Sequence, residues 1–298
     1  MTRTLKRGEE PLWMSLKPSV ASGRLDSDDV GVALGRDEAR AFLIALEGAR
    51  CVGRLRGKFL NPRLYLIREL LVSDDGDFDE VAVSLCAFLA DSFADDGTEV
   101  FAWDRESDRA KNAALEAAGF VVAKRKVFVE RDLRDYESPH EDVLEYRTLA
   151  ELGEERFMEI MTEAAKGDPF EDVTERDPRS DFRELVDHAG DRFDPTWWRV
   201  AFLGGKPLGV VLPQAFPDRE SEGSLFYVGV LPDRRGHGFG KVLHGAGLEF
   251  MARNGLERYV GSTDSRNLPM LAVFAANGCS PTGTQLFYKA LRVNDRRR

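Results

Sequence analysis

The sequence predicts an α/β fold, with an α+β mixed sheet repeated in two tandem units. Three observations lead there. Leu225 to Arg253 reads as a strand, a glycine-rich turn and a helix stopped by Asn254-Gly255. Arg258 to Thr263 reads as another strand, followed by a short helix that ends at Asn277-Gly278 and a closing strand from Thr284 to Leu291. The first half follows the same order at an offset of about 159 residues. Gly119 falls on Gly278, Phe78–Phe93 on the helix after Gly240, Leu64–Val72 on the strand before Pro232, and Glu99–Trp103 on the strand before Asp264. Both halves close alike, VFVERDL and LFYKAL.

Taken in order, residues 1 to 24 show no clear period and carry Gly8, Pro11, Pro18 and Gly23, which predicts an irregular arm. Arg36–Leu46 predicts a helix. Cys51–Phe59 and Leu64–Val72 predict strands around an Asn61-Pro62 turn. Phe78–Phe93 is an amphipathic helix pattern, Glu99–Trp103 a short strand, Asp108–Ala118 a helix and Val121–Leu133 extended. The polar stretch Arg134–Asp142 is the expected linker, giving domains at 1–138 and 144–298. The second cycle follows: a strand at Leu144–Thr148, helices at Glu154–Lys166 and Arg179–His188 flanking an acidic loop, and a hairpin of Trp197–Leu203 and Leu208–Leu212 ended by Pro213.

Composition narrows the class. The chain has 298 residues, 43% hydrophobic and 32% charged, and can bury two cores. A net charge of −10 argues against general nucleic-acid binding and fits a cationic, amine-bearing partner. No apolar run reaches membrane-spanning length, and the N-terminus lacks the apolar core of a signal peptide. Three scattered cysteines, Cys51, Cys86 and Cys279, suggest neither a disulfide framework nor a zinc site and fit a reducing, cytoplasmic setting.

The turn Arg235-Gly236-His237-Gly238-Phe239-Gly240 carries the strongest chemistry. It lies where a helix begins, so unpartnered N–H groups and the positive end of the dipole coincide. Glycines let a large anion reach that backbone, which makes a cradle for phosphate or pyrophosphate. The glycines alternate, so neither GxGxxG nor a P-loop is matched. The pattern strand–P-x-x-R-G-x-G-x-G–helix resembles the acetyl-CoA pyrophosphate loop of the GNAT superfamily of N-acetyltransferases. Asn267, Phe274 and Gly278 resemble that family's second motif.

The resemblance implies two tandem GNAT-like domains, the first degenerate. Its counterpart of the cradle, Ser73 to Glu80, has one glycine, no arginine and five carboxylates, which would repel a pyrophosphate. It also implies acetyl-CoA as co-substrate, held by Val228, Val230, Arg235, Gly236, His237, Gly238, Phe239, Gly240, Asn267 and Phe274. The strand Tyr227–Leu231 is expected to splay from its neighbour and polarise the thioester carbonyl through its backbone. The acceptor is expected to be a small-molecule or peptide amine, and the protein a monomer with an internal pseudo-dimer. An amine must lose a proton and a thiolate must gain one. Glu222 and, second, Asp264 are the candidate bases; a turn carboxylate and a helix cap are their structural readings. The family's acid position holds Phe274, which has no proton to give, leaving Tyr288 or Tyr227 as substitutes, or no acid at all. A non-catalytic acyl-CoA-binding module on the same fold is the alternative.

Overall fold

The computed structural model describes residues 1–6, 8–16, 42–61, 63–74, 77–93, 97–140, 143–170 and 177–291. They fall into two compact units, Met1–Arg125 with the segment from Thr284 onward, and Lys126–Gly283.

The first unit opens with β1 (Thr2–Thr4) and α1 (Glu10–Ser15), where sequence predicted an irregular arm; residues 17–41 lie outside the described residues. Next come β2 (Phe42–Glu47), β3 (Arg50–Asn61), β4 (Leu64–Val72), α2 (Phe78–Ser92), β5 (Glu99–Arg105) and α3 (Arg109–Ala117). β6 (Phe120–Asp132) runs from the first unit into the second. The second unit continues with β7 (Glu145–Thr148), α4 (Leu149–Leu152), α5 (Glu154–Ala165), α6 (Pro178–Ala189), β8 (Arg199–Leu203) and β9 (Lys206–Ala215). It ends with β10 (Glu222–Val230), α7 (Phe239–Arg253), β11 (Arg258–Asp264) and α8 (Leu268–Ala276). The last strand, β12 (Ser280–Ala290), pairs with β5 and so completes the first unit.

The strand order is β1-β2-β3-β4-β5-β12 in the first unit and β6-β11-β10-β9-β8-β7 in the second. In each, one pair is parallel, β4 with β5 and β10 with β11. Chain order and compact units therefore part at the closing strands. Sequence placed the boundary between 138 and 144; by packing, residues 126–140 go with the second unit and β12 from Thr284 onward with the first. The described part of the expected linker is docked, with Tyr136 buried and its hydroxyl donating to Asn277 Oδ1 at 3.1 Å.

Two local expectations change. Phe42–Leu46 is strand rather than helix: four consecutive buried residues, Phe42 to Ala45, form a run with no polar alternation. Such a run does not distinguish helix from buried strand by period. Pro213 does not end β9; it pairs with Leu225 inside the sheet. The missing N–H costs no ladder bond: Leu208 and Phe216 bond toward β10, so by alternation position 213 faces the β8 side, where pairing ends at Arg199↔Val211.

Helix α5 buries Phe157, Met158, Ile160, Met161 and Ala164 in one apolar cluster with Val210 and Leu212 of β9. Helix α7 packs with Leu243, Leu248 and Met251, and its glycines admit neighbours. A Cβ at Gly247 would lie 2.8 Å from Val211, and one at Gly245 would lie 2.5 Å from Ser138 Oγ.

Candidate functional site

The site is built by the way β10 leaves β11. The two pair in parallel only at Glu222↔Arg258 and Gly223↔Tyr259. Beyond that, β11 continues against β6 to Asp264↔Lys126, while β10 continues against β9 to Val230↔Gly209. An opening forms between them. Leu231 N–H donates to Leu208 O at 2.9 Å, on the β9 side. Alternation along a strand then turns the N–H and C=O of Val228 and Val230 toward the opening. Gly209 allows the close approach on the other side, since a Cβ there would lie 2.4 Å from the Gly229 carbonyl oxygen. Gly229 itself lies under the Tyr227 ring, 2.7 Å from the hydroxyl oxygen for a built Cβ.

After β10, a 3-10 turn at Pro232–Arg234 leads to Gly236 and Gly238, with φ of +81° and +82°. L-residues rarely adopt that conformation, which explains both glycines. Gly238 is the N-cap of α7 and has no side chain to receive the first N–H groups. Phe239, Gly240 and Lys241 thus present their amides at the positive end of a 15-residue helix. Lys241, exposed in the first turn, opposes the dipole; an anion at that point offsets both.

Residues 156–278 match the model of the acetyltransferase (GNAT) family. Residues 156–278 form a GNAT-family domain. Among curated relatives, a mycothiol acetyltransferase of Streptomyces bingchenggensis (strain BCW-1) is 32% identical over 108 residues, 36% of this chain and 35% of that protein. One of Streptomyces scabiei (strain 87.22) is 26% identical over 198 residues, 66% of this chain and 63% of that protein. These matches thus span about a third and under two thirds of the relatives. Among solved structures, a GCN5-related N-acetyltransferase from Sphaerobacter thermophilus superposes with a TM-score of 0.65 at 18% identity, covering 97% of this chain and 94% of that one. A tandem GNAT protein from the clavulanic acid biosynthesis pathway superposes at 0.60 and 17%, covering 97% and 98%.

Within the GNAT domain the expected site residues divide. Val228, Val230, Gly236, Gly238, Phe239 and Gly240 lie along the opening and the turn. His237 is exposed there, its Nδ1 2.9 Å from Arg235 O. Asn267 caps α8 by accepting from Met270 N–H at 3.1 Å. Phe274 is a correction: it is 2% exposed, packed edge-on to His244 in the core, and presents no face to a ligand. Arg235 is redirected. Its Nε donates to Val230 O at 3.0 Å, and its Nη2 to Ala164 O at 2.9 Å and Lys166 O at 2.8 Å.

The acid–base candidates also separate. Glu222 sits at the closed end of the β10–β11 pair, held by Arg219 at 3.0 Å and Arg258 at 3.3 Å. Six residues of strand, about 20 Å, part it from Val228. Tyr288 belongs to the first unit; it is fully buried there, its hydroxyl 3.2 Å from Glu116 Oε1, and burial raises its pKa. Neither serves the opening. Asp264 does flank it: it stands six residues past Arg258, the level of Val228 six past Glu222. Its carboxylate is buried and takes a fork from Arg266, Nε to Oδ1 and Nη2 to Oδ2, both 2.9 Å.

Sequence reasoning missed three contributors. Lys241 was read only as breaking a P-loop pattern, although a lysine at a helix start is itself a signal. Asn277 was read as a helix stop; it is buried and donates to Lys241 O at 3.1 Å and Val273 O at 3.0 Å, joining α7 to α8. Phe170 meets the Arg266 guanidinium at 5.8 Å, a contact between segments far apart in sequence that carries no local signal.

Proposed function

We propose that the second unit binds acetyl-CoA and transfers its acetyl group to a primary amine of a small molecule or peptide. The observation that carries this is one juxtaposition: the uncapped start of α7 lies directly after the strand whose Val228 and Val230 backbone lines the opening. The amides of Phe239, Gly240 and Lys241 would hold the pyrophosphate, and open space beside Gly236 leaves room for it. Acetyl-CoA supplies the activated acyl group. The outward N–H of Val228 or Val230 would bind the acyl oxygen and stabilise the charge that develops on it. The strand and turn fix the approach of the amine, which is an orientation effect. The mycothiol acetyltransferase relatives favour a small-molecule acceptor.

Deprotonation falls to solvent or to the free-base fraction of the amine, because Asp264 is committed to Arg266 and Glu222 lies elsewhere. The second reading is an acyl-CoA-binding module without turnover on the same cradle. Thiol release from acetyl-CoA with a panel of amino sugars, cysteine amides, polyamines and short peptides separates the two. Acceptor-dependent release supports transfer. CoA binding with no release across the panel supports the module, and no CoA binding removes both.

A further inference from the structure

We propose that Arg235 is a positioning residue, which ties the donor turn to the loop after α5 and closes a ring of contacts around the opening. The proposal rests on the acetyl-CoA reading above.

Arg235 stands inside the turn, its own N–H bonded to Pro232 O at 3.3 Å. Its guanidinium leaves the turn and spans three backbone carbonyls. One is Val230 O, on the side of β10 that β11 has left. The others, Ala164 O and Lys166 O, lie in the last turn and C-cap of α5, 71 and 69 residues away in sequence. Carbonyls at a helix end lack intrahelical donors, and a cation there is favoured by the dipole. A planar fork satisfies several acceptors at once; an ammonium is a point donor and cannot replace it. Gly167, with φ of +69°, turns over the guanidinium; a Cβ there would lie 3.7 Å from Nη1.

From Gly167 the chain reaches Phe170, whose ring meets Arg266, and Arg266 is forked onto Asp264 at the end of β11. The ring therefore runs from β10 through Arg235 to α5, along residues 166–170 to Arg266, and back to β11. The opening lies inside it. An anion that settles the turn also settles residues 166–170, through a ring that needs both Arg235 and the Phe170–Arg266 contact.

The test is amide exchange and calorimetry on the full chain with CoA as probe. In the wild type, CoA slows exchange at residues 166–170 about tenfold, as expected when a local opening is suppressed. Arg235→Lys and Arg235→Gln both lose this protection. They weaken CoA by a similar factor, about threefold or less, and leave the salt dependence of binding unchanged. Phe170→Ala, which cuts the ring at its far side and leaves every cation in place, also loses the protection.

Three outcomes overturn the proposal. Protection that persists in the Arg235 variants does so. So does protection that persists in Phe170→Ala, which decides the matter if the arginine variants fail to fold. A large loss of affinity with a flatter salt dependence in Arg235→Gln but not in Arg235→Lys makes Arg235 a phosphate ligand. A wild type that binds no CoA instead removes the acetyl-CoA reading, a result distinct from all three.

Discussion

Helices α2 and α7 occupy the same place in the two copies, and their first turns differ in sign. Both are 15 residues long, both follow a nine-residue strand, and both precede a seven-residue strand and a nine-residue helix. Each preceding strand carries one extra residue against its antiparallel partner, at Arg68 on β4 and just after Leu225 on β10. Each also leaves its parallel neighbour after a few pairs, Leu66↔Phe101 being the last in the first copy. The opening was thus kept in both. At α2, however, Asp77 accepts from Glu80 N–H at 3.1 Å, and Asp79 and Glu80 fill the first turn. At α7, Gly238 leaves the amides uncapped and Lys241 follows. On the function proposed above, backbone architecture alone does not make an anion site; two or three side chains at a helix start decide it.

The largest effect tests where the copies divide. Residues 126–283 expressed alone are expected to melt cooperatively and bind CoA. Residues 144–298 lack the β6 strand that pairs along all of β11 and keep β12 without β5. That fragment is expected to show no cooperative melt by circular dichroism. Equal melts would mean that the copies divide by chain order.

The next effect converts one helix start into the other. Gly238→Asp gives α7 the carboxylate that α2 has and should weaken CoA at least about 100-fold, roughly 2.7 kcal/mol, by calorimetry. Gly238→Ala isolates the strain of a positive φ, of order 1–2 kcal/mol. A loss no greater for aspartate than for alanine would detach the anion from this turn.

A third difference concerns pH. His244 of α7 is fully buried, with Nε2 3.2 Å from the Tyr259 hydroxyl and no partner at Nδ1, and burial pushes its pKa down to about 3. The first copy has Val83 and Val100 at the matching places. A folded pKa below the unfolded value of about 6.5 stabilises the fold fully above that pH, and the contribution is lost as pH falls toward 3. The second unit should lose about 1.4 kcal/mol per pH unit in that window. Denaturant titrations of the full chain should show the slope, and the double change His244→Phe with Tyr259→Phe should flatten it.

The smallest effect is the most corrective. Glu222→Gln should leave acceptor turnover within about twofold, where a general base would cost at least about 100-fold. Tyr288→Phe should cost about 1 kcal/mol of stability, the lost bond to Glu116, and leave CoA binding unchanged. A large fall in turnover for either would return it to the site.

What was legible in the sequence follows from how local each cause is. The alternating glycines at 236, 238 and 240 report positive φ and close approach, properties a residue carries with it, and the turn lay where they placed it. The repeat was legible because glycine stops and helix lengths recur at one offset. Glu222 and Tyr288 misled because their roles depend on distant partners, Arg219 and Arg258 for one and Glu116 for the other. Nothing in a tyrosine on a closing strand says which unit that strand joins. The run Phe42–Ala45 misled for a different reason: burial on both faces erases the period that would identify it.

Synthesis begins at the N-terminus, and the place of β12 makes that order matter. Residues 126–283 have emerged before the strand that completes the first unit is made. Until then β5 carries an unpaired edge, with Trp103 partly exposed beside it, and an edge of that kind is a hazard for association. The copy made first is thus finished last. Its folding rate is bound to a contact spanning most of the chain, Lys289 with Glu99, so slow, late closure of the first unit is the kinetic signature to look for.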